Sequence, residues 1–174
     1  MIIKVLSSLL VIVIAFILQT TFFRAIALAD VVPNLMLIVT VSYGYIRGRT
    51  HGMWIGLISG LMFDMMYESI IGLCGFSLMT IGFFIGYVKK IFFTDSILLP
   101  IVLMSMGDFA YCIYYYVTEF LLRGRLNFFF YFIHVILPEL LYTIPVGIGV
   151  FYLIRLLDER IDRGARRKED DFNV

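Results

Sequence analysis

The chain has 174 residues, of which 61% are hydrophobic and 17% aromatic, whereas only 16% carry a charge. So little polar surface cannot cover a soluble globule, and the composition therefore indicates an integral membrane protein. The formal net charge of +1 indicates no acidic partner, because the placement of charges in a membrane protein matters more than their sum. No nucleic-acid partner is predicted.

Apolar runs long enough to cross a bilayer, which takes about 20 helical residues, follow one another along the chain. Six spans are predicted, at residues 5–23, 31–46, 52–66, 70–88, 97–122 and 134–157. The second and third are short, so they must stand nearly upright or be shielded by their neighbours. One transmembrane domain is expected over residues 1–174, with a charged cytoplasmic tail at residues 158–174. The predicted fold class is all-α: a polytopic membrane protein folded as a compact bundle of six transmembrane helices.

The first span resembles a signal peptide, since Lys4 precedes an apolar run and small residues follow it at Ala27 to Ala29. The run from Val5 to Phe23 is longer than a usual signal core, and Arg24 interrupts the approach to the small residues. We therefore interpret the segment as a transmembrane helix.

The third span carries small residues at helical spacing, and the spacing continues into a carboxylate. Gly52, Gly56, Gly60 and Asp64 follow one another at intervals of four, and the fourth span repeats the interval at Gly82 and Gly86. In lipid, such residues let helix backbones approach closely. Two interpretations stay open. These six residues form an interface for a partner's transmembrane helix, with Asp64 as a polar contact at its outer end, or they pack the third helix against the first or the sixth.

A tight turn is expected where the fourth span begins. Gly72 and Gly75 lie at this entrance, where the backbone would need a positive φ or a close approach to another segment.

Four polar residues are predicted to be nodes within the membrane, namely Gln19, Asn34, Asp108 and Glu139. Asp108 lies near the middle of its span and must point into the bundle, be protonated or find a hydrogen-bond donor, because a charge at mid-bilayer costs about 3 kcal/mol. Asp108 and Glu139 are either a pair that handles protons or substrate, or a structural hydrogen-bond node. Asp64, Glu68 and Glu119 lie near span ends and are expected to reach the interface.

The sixth span is preceded by the sequence NFFFYF at residues 127–132, which we interpret as an interfacial aromatic segment. The helix is expected to start near His134, with Pro138 in its first turns or at a kink.

Six spans place both termini on one side of the membrane. With both termini in the cytoplasm, only Arg24, Arg123 and Arg125 of the 14 basic residues lie outside. The positive-inside rule therefore predicts cytoplasmic termini.

Catalytic motifs are lacking in the sequence. His51 and His134 are predicted at opposite faces, and Cys74 and Cys112 lie in apolar runs. No enzyme activity, metal site or cofactor is therefore predicted.

The segment from Val32 to Val88 combines three features in order. Pro33 and Asn34 begin the second span, the pattern G-x-x-x-G-L-x-x-D runs from Gly56 to Asp64, and G-L-x-G-x-S-L runs from Gly72 to Leu78. With LQTTFF around Gln19, the length and the six-span plan, the chain resembles the rod shape-determining protein MreD family.

The resemblance implies a non-enzymatic scaffold of the cell-elongation complex in the bacterial inner membrane. It implies that the protein binds the single transmembrane helix of MreC, and that it helps to position and regulate peptidoglycan synthases. The implied further partners are RodA and a penicillin-binding transpeptidase, directly or through MreC, the filament protein MreB at the cytoplasmic face, and membrane lipid.

The family also looks similar in fold to the substrate-binding subunits of energy-coupling-factor vitamin transporters, which gives the alternative function. Such a subunit would need an outward-facing pocket with convergent polar groups. A proton-coupled transporter would depend on Asp108 and Glu139 alone.

Overall fold

A computed structural model describes residues 2–25, 31–67, 70–91, 98–121 and 128–170 of the chain. These residues form six helices and no strand, which confirms the all-α prediction. The helices are α1 (Ile2–Ile17, continued by a π-helical turn at Leu18–Phe23), α2 (Leu35–Arg47), α3 (Arg49–Tyr67), α4 (Leu73–Ile91), α5 (Leu98–Tyr115, continued by a π-helical turn at Tyr116–Leu121) and α6 (Phe128–Tyr131, a π-helical turn at Phe132–Ile136, then Leu137–Asp170).

Four of these helices are long and apolar enough to cross a membrane. The qualifying segments are Ile3–Phe23, Leu73–Ile91, Leu98–Thr118 and Phe129–Gly164. Helix α2 has 13 residues and is about 20 Å long at 1.5 Å per residue, against a hydrocarbon core of about 30 Å. The crossing of the bilayer by α2 and α3 stays a prediction.

Helix α2 lies at the centre of the bundle. Every residue from Leu35 to Tyr45 is buried, and the helix contacts each of the five others. A short helix therefore needs no lipid contact of its own, because its neighbours shield it.

At the buried start of α2, backbone N–H groups donate to three side chains, one from the N-cap residue of α2 itself, one from α1 and one from α6. The side chain of Asn34 accepts from the backbone N–H of Leu37 at 3.1 Å, and Gln19 Oε1 of α1 accepts from the N–H of Met36 at 3.1 Å. The N–H of Asn34 donates to Thr143 Oγ1 of α6 at 3.3 Å. First-turn N–H groups have no partner within their own helix, so these contacts replace water and hold α1 and α6 against α2.

A second group of polar contacts joins α1, α2 and α6 at the end of the bundle where the termini lie. Arg47 donates from Nε to Asp158 Oδ1 at 2.8 Å, and its Nη1 donates to the Lys4 carbonyl and to Ser8 Oγ. The side chains of Arg47 and Asp158 are only 7% and 11% exposed. The guanidinium therefore satisfies groups on α1 and α6 from the last turn of α2.

Helix α6 begins at Phe128, before the expected start near His134, and Asn127 lies outside the described residues. Its π-helical turn at Phe132–Ile136 comes directly before Pro138. A proline ring clashes with the carbonyl four residues earlier and lacks the N–H that would bond to it. The wider turn therefore accommodates Pro138 while the helix continues.

Candidate functional site

Helices α3 and α4 meet along a row of glycines, which we call the glycine seam: Gly52, Gly56 and Gly60 of α3, and Gly75, Gly82 and Gly86 of α4. All six are buried. A Cβ atom at Gly60 would lie 2.5 Å from the Cα of Gly75, and one at Gly52 would lie 2.6 Å from the Gly82 carbonyl oxygen. Any larger residue at these positions would overlap backbone of the other helix.

The remaining seam positions are just as close. A Cβ atom at Gly56 would overlap the Leu78 carbonyl group, and one at Gly86 would overlap the backbone of Arg49. Contact between α3 and α4 is more extensive than between any other helix pair in the described part of the chain. The backbones themselves form this interface.

This geometry bears on the two interpretations of the glycine spacing. The face of Gly52, Gly56, Gly60, Asp64, Gly82 and Gly86 is buried against other residues of the chain. The structure therefore favours internal packing, with α4 and not α1 or α6 as the neighbour, and the partner interface at this face stays a prediction. Spacing of four residues marks a close contact without showing which helix makes it.

The side chain of Asp64 does not reach the surface of the bundle, because it is 0% exposed. Its carboxylate accepts hydrogen bonds from the backbone N–H groups of Gly72 and Gly75 at 2.9 Å and of Cys74 at 3.1 Å. These are the unpaired donors at the start of α4. Asp64 is therefore a cap that α3 supplies to α4.

The turn before α4 has the geometry that the sequence predicts. Gly72 has a φ of +110°, a conformation that glycine adopts at little cost. Gly75 makes the expected close approach, since a Cβ atom there would lie 3.2 Å from the Leu61 side chain.

A second polar group lies between α5 and α6. Asp108, Cys112 and Glu139 each offer an atom within 4.8 Å of the other two, and Cys112 Sγ donates to Glu139 Oε2 at 3.4 Å. Asp108 is 0% exposed, and both of its carboxylate oxygens lack a hydrogen-bond partner among the described residues. The hydroxyl of Thr143 faces Asp108 without reaching hydrogen-bond geometry.

A cavity of about 510 Å³ opens directly beside this group. Its floor includes Cys112 and Glu139, and its wall includes His134 and four tyrosines, namely Tyr67, Tyr111, Tyr115 and Tyr131. The start of α2, the end of α3, the end of α5 and the start of α6 surround it. The cavity therefore lies at the end of the bundle opposite the termini.

The structure thus separates the predicted polar nodes into two sites. Gln19 and Asn34 lie at the start of α2, whereas Glu139 lines the cavity and Asp108 lies next to Glu139 behind it. Thr143 connects the two sites, since it contacts Asn34 and faces Asp108. Glu68, Arg123 and Arg125 lie outside the described residues, as does the side chain of Glu119.

Sequence reasoning missed Cys112 and the tyrosines as parts of the site. The available signal is spacing: Cys112 follows Asp108 by four residues, and Tyr115 follows Tyr111 by four. Residues four apart share a helix face. The intramembrane aspartate therefore marks a face that includes Cys112.

Comparisons with known proteins agree with the sequence motifs. A family model described as rod shape-determining protein MreD matches residues 1–159 of the 174 residues. No curated protein and no solved structure matches the chain. The match extends the resemblance from the segment Val32 to Val88 over nearly the whole chain and confirms it. The chain therefore belongs to the MreD family, and its role lies in determining rod shape.

Proposed function

We propose that the protein is a non-enzymatic membrane scaffold of the cell-elongation complex, and that it binds the single transmembrane helix of MreC. The observation that carries the proposal is the family match over residues 1–159. Through MreC, the scaffold helps to position and regulate the RodA glycosyltransferase and a penicillin-binding transpeptidase. MreB is a further partner at the cytoplasmic face.

Because α3 and α4 pack against each other along the glycine seam, we place the helix of MreC at another surface. A groove of about 330 Å³ runs between α1 and α6, with Leu35 and Val39 of α2 at its floor. Ala15 lies on its α1 side, and Pro145 and Gly149 lie on its α6 side. A Cβ atom at Gly149 would meet nothing within 4 Å. This open glycine leaves room for a second backbone.

The dimensions of the groove suit a helix. Its α6 wall extends from Pro145 to Leu157, about 18 Å along the axis at 1.5 Å per residue. That length is more than half of the hydrocarbon core of about 30 Å. In lipid, a helix gains little from apolar contact alone, so close packing at small residues decides where it binds.

We place both termini in the cytoplasm. The last turns of α2 and α4 support this orientation, because they carry Arg47, Lys89 and Lys90 at the end of the bundle where the termini lie. MreC then extends from the opposite end toward the cell-wall synthases.

Gly149→Leu tests the groove. The leucine should extend into the groove with little disturbance of the chain, because a Cβ atom at this position would meet nothing within 4 Å. The measurement is the amount of MreC that co-purifies from membranes per folded protein. The matched control is Gly164→Leu, at the other α6 glycine with open space around it. We expect loss of MreC with Gly149→Leu only; equal recovery with both variants would contradict the groove.

The alternative function, a substrate-binding subunit of a vitamin transporter, is favoured by one observation. The cavity of about 510 Å³ has the size of a small-molecule site. A ligand that binds only the native state raises its stability. A thermal-unfolding screen of the purified protein against vitamins therefore separates the two functions, and a saturable rise with one vitamin would favour transport.

A further inference from the structure

We propose that the cavity between α5 and α6 binds a small organic cation, whose ammonium group lies over Glu139 among the tyrosines. This binding site is additional to the scaffold function and does not depend on it. The inference comes from the cavity, from its aromatic wall and from the unpartnered carboxylate behind its floor.

The wall of the cavity is aromatic on several sides. Phe63 and Tyr67 of α3 are stacked with centroids 5.0 Å apart, and Tyr111 and Tyr115 of α5 are stacked at 6.2 Å. Tyr131 of α6 completes this wall. Aromatic faces attract ammonium groups through the ring quadrupole, and the attraction strengthens where water is excluded.

Two carboxyl groups lie at and behind the floor of the cavity. Glu139 lines the cavity, and Asp108 is fully buried behind it within 4.8 Å, without a hydrogen-bond partner among the described residues. Among the described residues, no lysine or arginine forms an ion pair with either carboxyl group. Buried polar groups without partners are rare in folded proteins and need an explanation. A cation in the cavity would give Glu139 a partner of opposite charge and place a positive charge near Asp108.

His134 does not fill this role. Its Nδ1 lies 3.0 Å from the carbonyl oxygen of Phe130, and its ring stacks on the Phe130 ring with centroids 4.1 Å apart. The imidazole is thus held against its own helix at the rim of the cavity.

An organic cation fits better than a bare metal ion. The cavity volume of about 510 Å³ falls in the range of about 300–1,000 Å³ typical of small-molecule pockets. Cys112 Sγ donates to Glu139 Oε2 at 3.4 Å. The thiol thus holds Glu139 in place at the floor.

The test measures thermal unfolding of the full-length protein with choline and with ethanolamine, which carry a quaternary and a primary ammonium group. The matched probe is 3,3-dimethylbutan-1-ol, which has the shape of choline without its charge. We expect a saturable rise in unfolding temperature with at least one of the two cations and none with the neutral alcohol, because native-state binding stabilises by mass action.

Two variants test whether the rise in unfolding temperature depends on Glu139 at the floor of the cavity. Glu139→Gln should weaken binding of the cation at least about tenfold, since it removes the charge beneath the ammonium group. Glu159→Gln is the control on the same helix, because Glu159 is exposed and pairs with Arg155 at 3.1 Å far from the cavity. The control should bind the cation as the unmodified protein does.

The proposal is overturned if neither cation raises the unfolding temperature or if the neutral alcohol raises it equally. It is also overturned if Glu139→Gln binds normally, or if only Zn²⁺ stabilises the protein.

Discussion

Asp64 and Asp108 are both 0% exposed inside the same bundle, yet their surroundings differ completely. Asp64 accepts three backbone hydrogen bonds at the start of α4, whereas Asp108 has no hydrogen-bond partner among the described residues. The first aspartate holds the bundle's own backbone. The second lies behind the floor of a cavity, next to Glu139.

The helices around the two aspartates differ in the same way. At the glycine seam, the backbones of α3 and α4 approach each other closely. Where α5 and α6 meet, tyrosines line a cavity, and each helix contains a π-helical turn. Small residues thus accompany close helix packing in one region of the bundle, whereas large aromatic residues line the open space in the other.

Gly56→Leu should have the largest effect on stability, because it disrupts the packing of α3 against α4 at the glycine seam. The new side chain would overlap the Leu78 carbonyl group, and overpacking costs about 1–3 kcal/mol or more even where side chains can yield. We expect little monodisperse protein after purification. Gly164→Leu, placed where nothing lies within 4 Å, should purify normally.

Asp64→Asn should have the next largest effect. The amide keeps one acceptor oxygen and brings an NH₂ group against backbone donors, so at least one of the three bonds is lost. Hydrogen bonds to charged groups contribute about 1.5–3 kcal/mol each. We expect the free energy of unfolding to fall by about 2–3 kcal/mol, measured by denaturant titration in detergent. An unchanged midpoint would show that Asp64 does not cap α4.

Asp108→Asn should have the smallest effect on stability. The carboxyl group has no hydrogen bond to lose, and an amide of equal size cannot carry a charge that burial would penalise. We expect the same titration to give an equal or higher free energy of unfolding. A decrease in the free energy of unfolding as large as that of Asp64→Asn would show that Asp108 is a structural node. It would also remove the difference between the two aspartates.

Much of this fold could be predicted from local sequence. Hydropathy alone indicates a helical membrane protein, Asn34 after Pro33 marks the start of α2, and Gly72 marks the turn before α4. These features act within a few residues of themselves, through capping and backbone conformation. The family motifs lie in the same region and identify the family correctly.

The pairing of helices could not be predicted in this way. Glycine spacing shows that Gly56 meets a backbone, but the identity of that backbone depends on how all six helices pack. The same limit applies to Asp64, which lies near the outer end of its predicted span, although backbone N–H groups at the start of α4 donate to it. Cys112 joins the site only because α6 brings Glu139 to it.

The glycine seam joins α3 and α4 of one chain, and we expect that it does not bind a partner's helix. Gly56→Ala tests it most directly, with unfolding temperature and MreC recovery per folded protein measured on the same preparation, and with Gly164→Ala as the control. A lower unfolding temperature with normal MreC recovery is the predicted result, because even one methyl group overlaps Leu78. An unchanged unfolding temperature with loss of MreC would contradict this expectation and would indicate that the seam binds MreC.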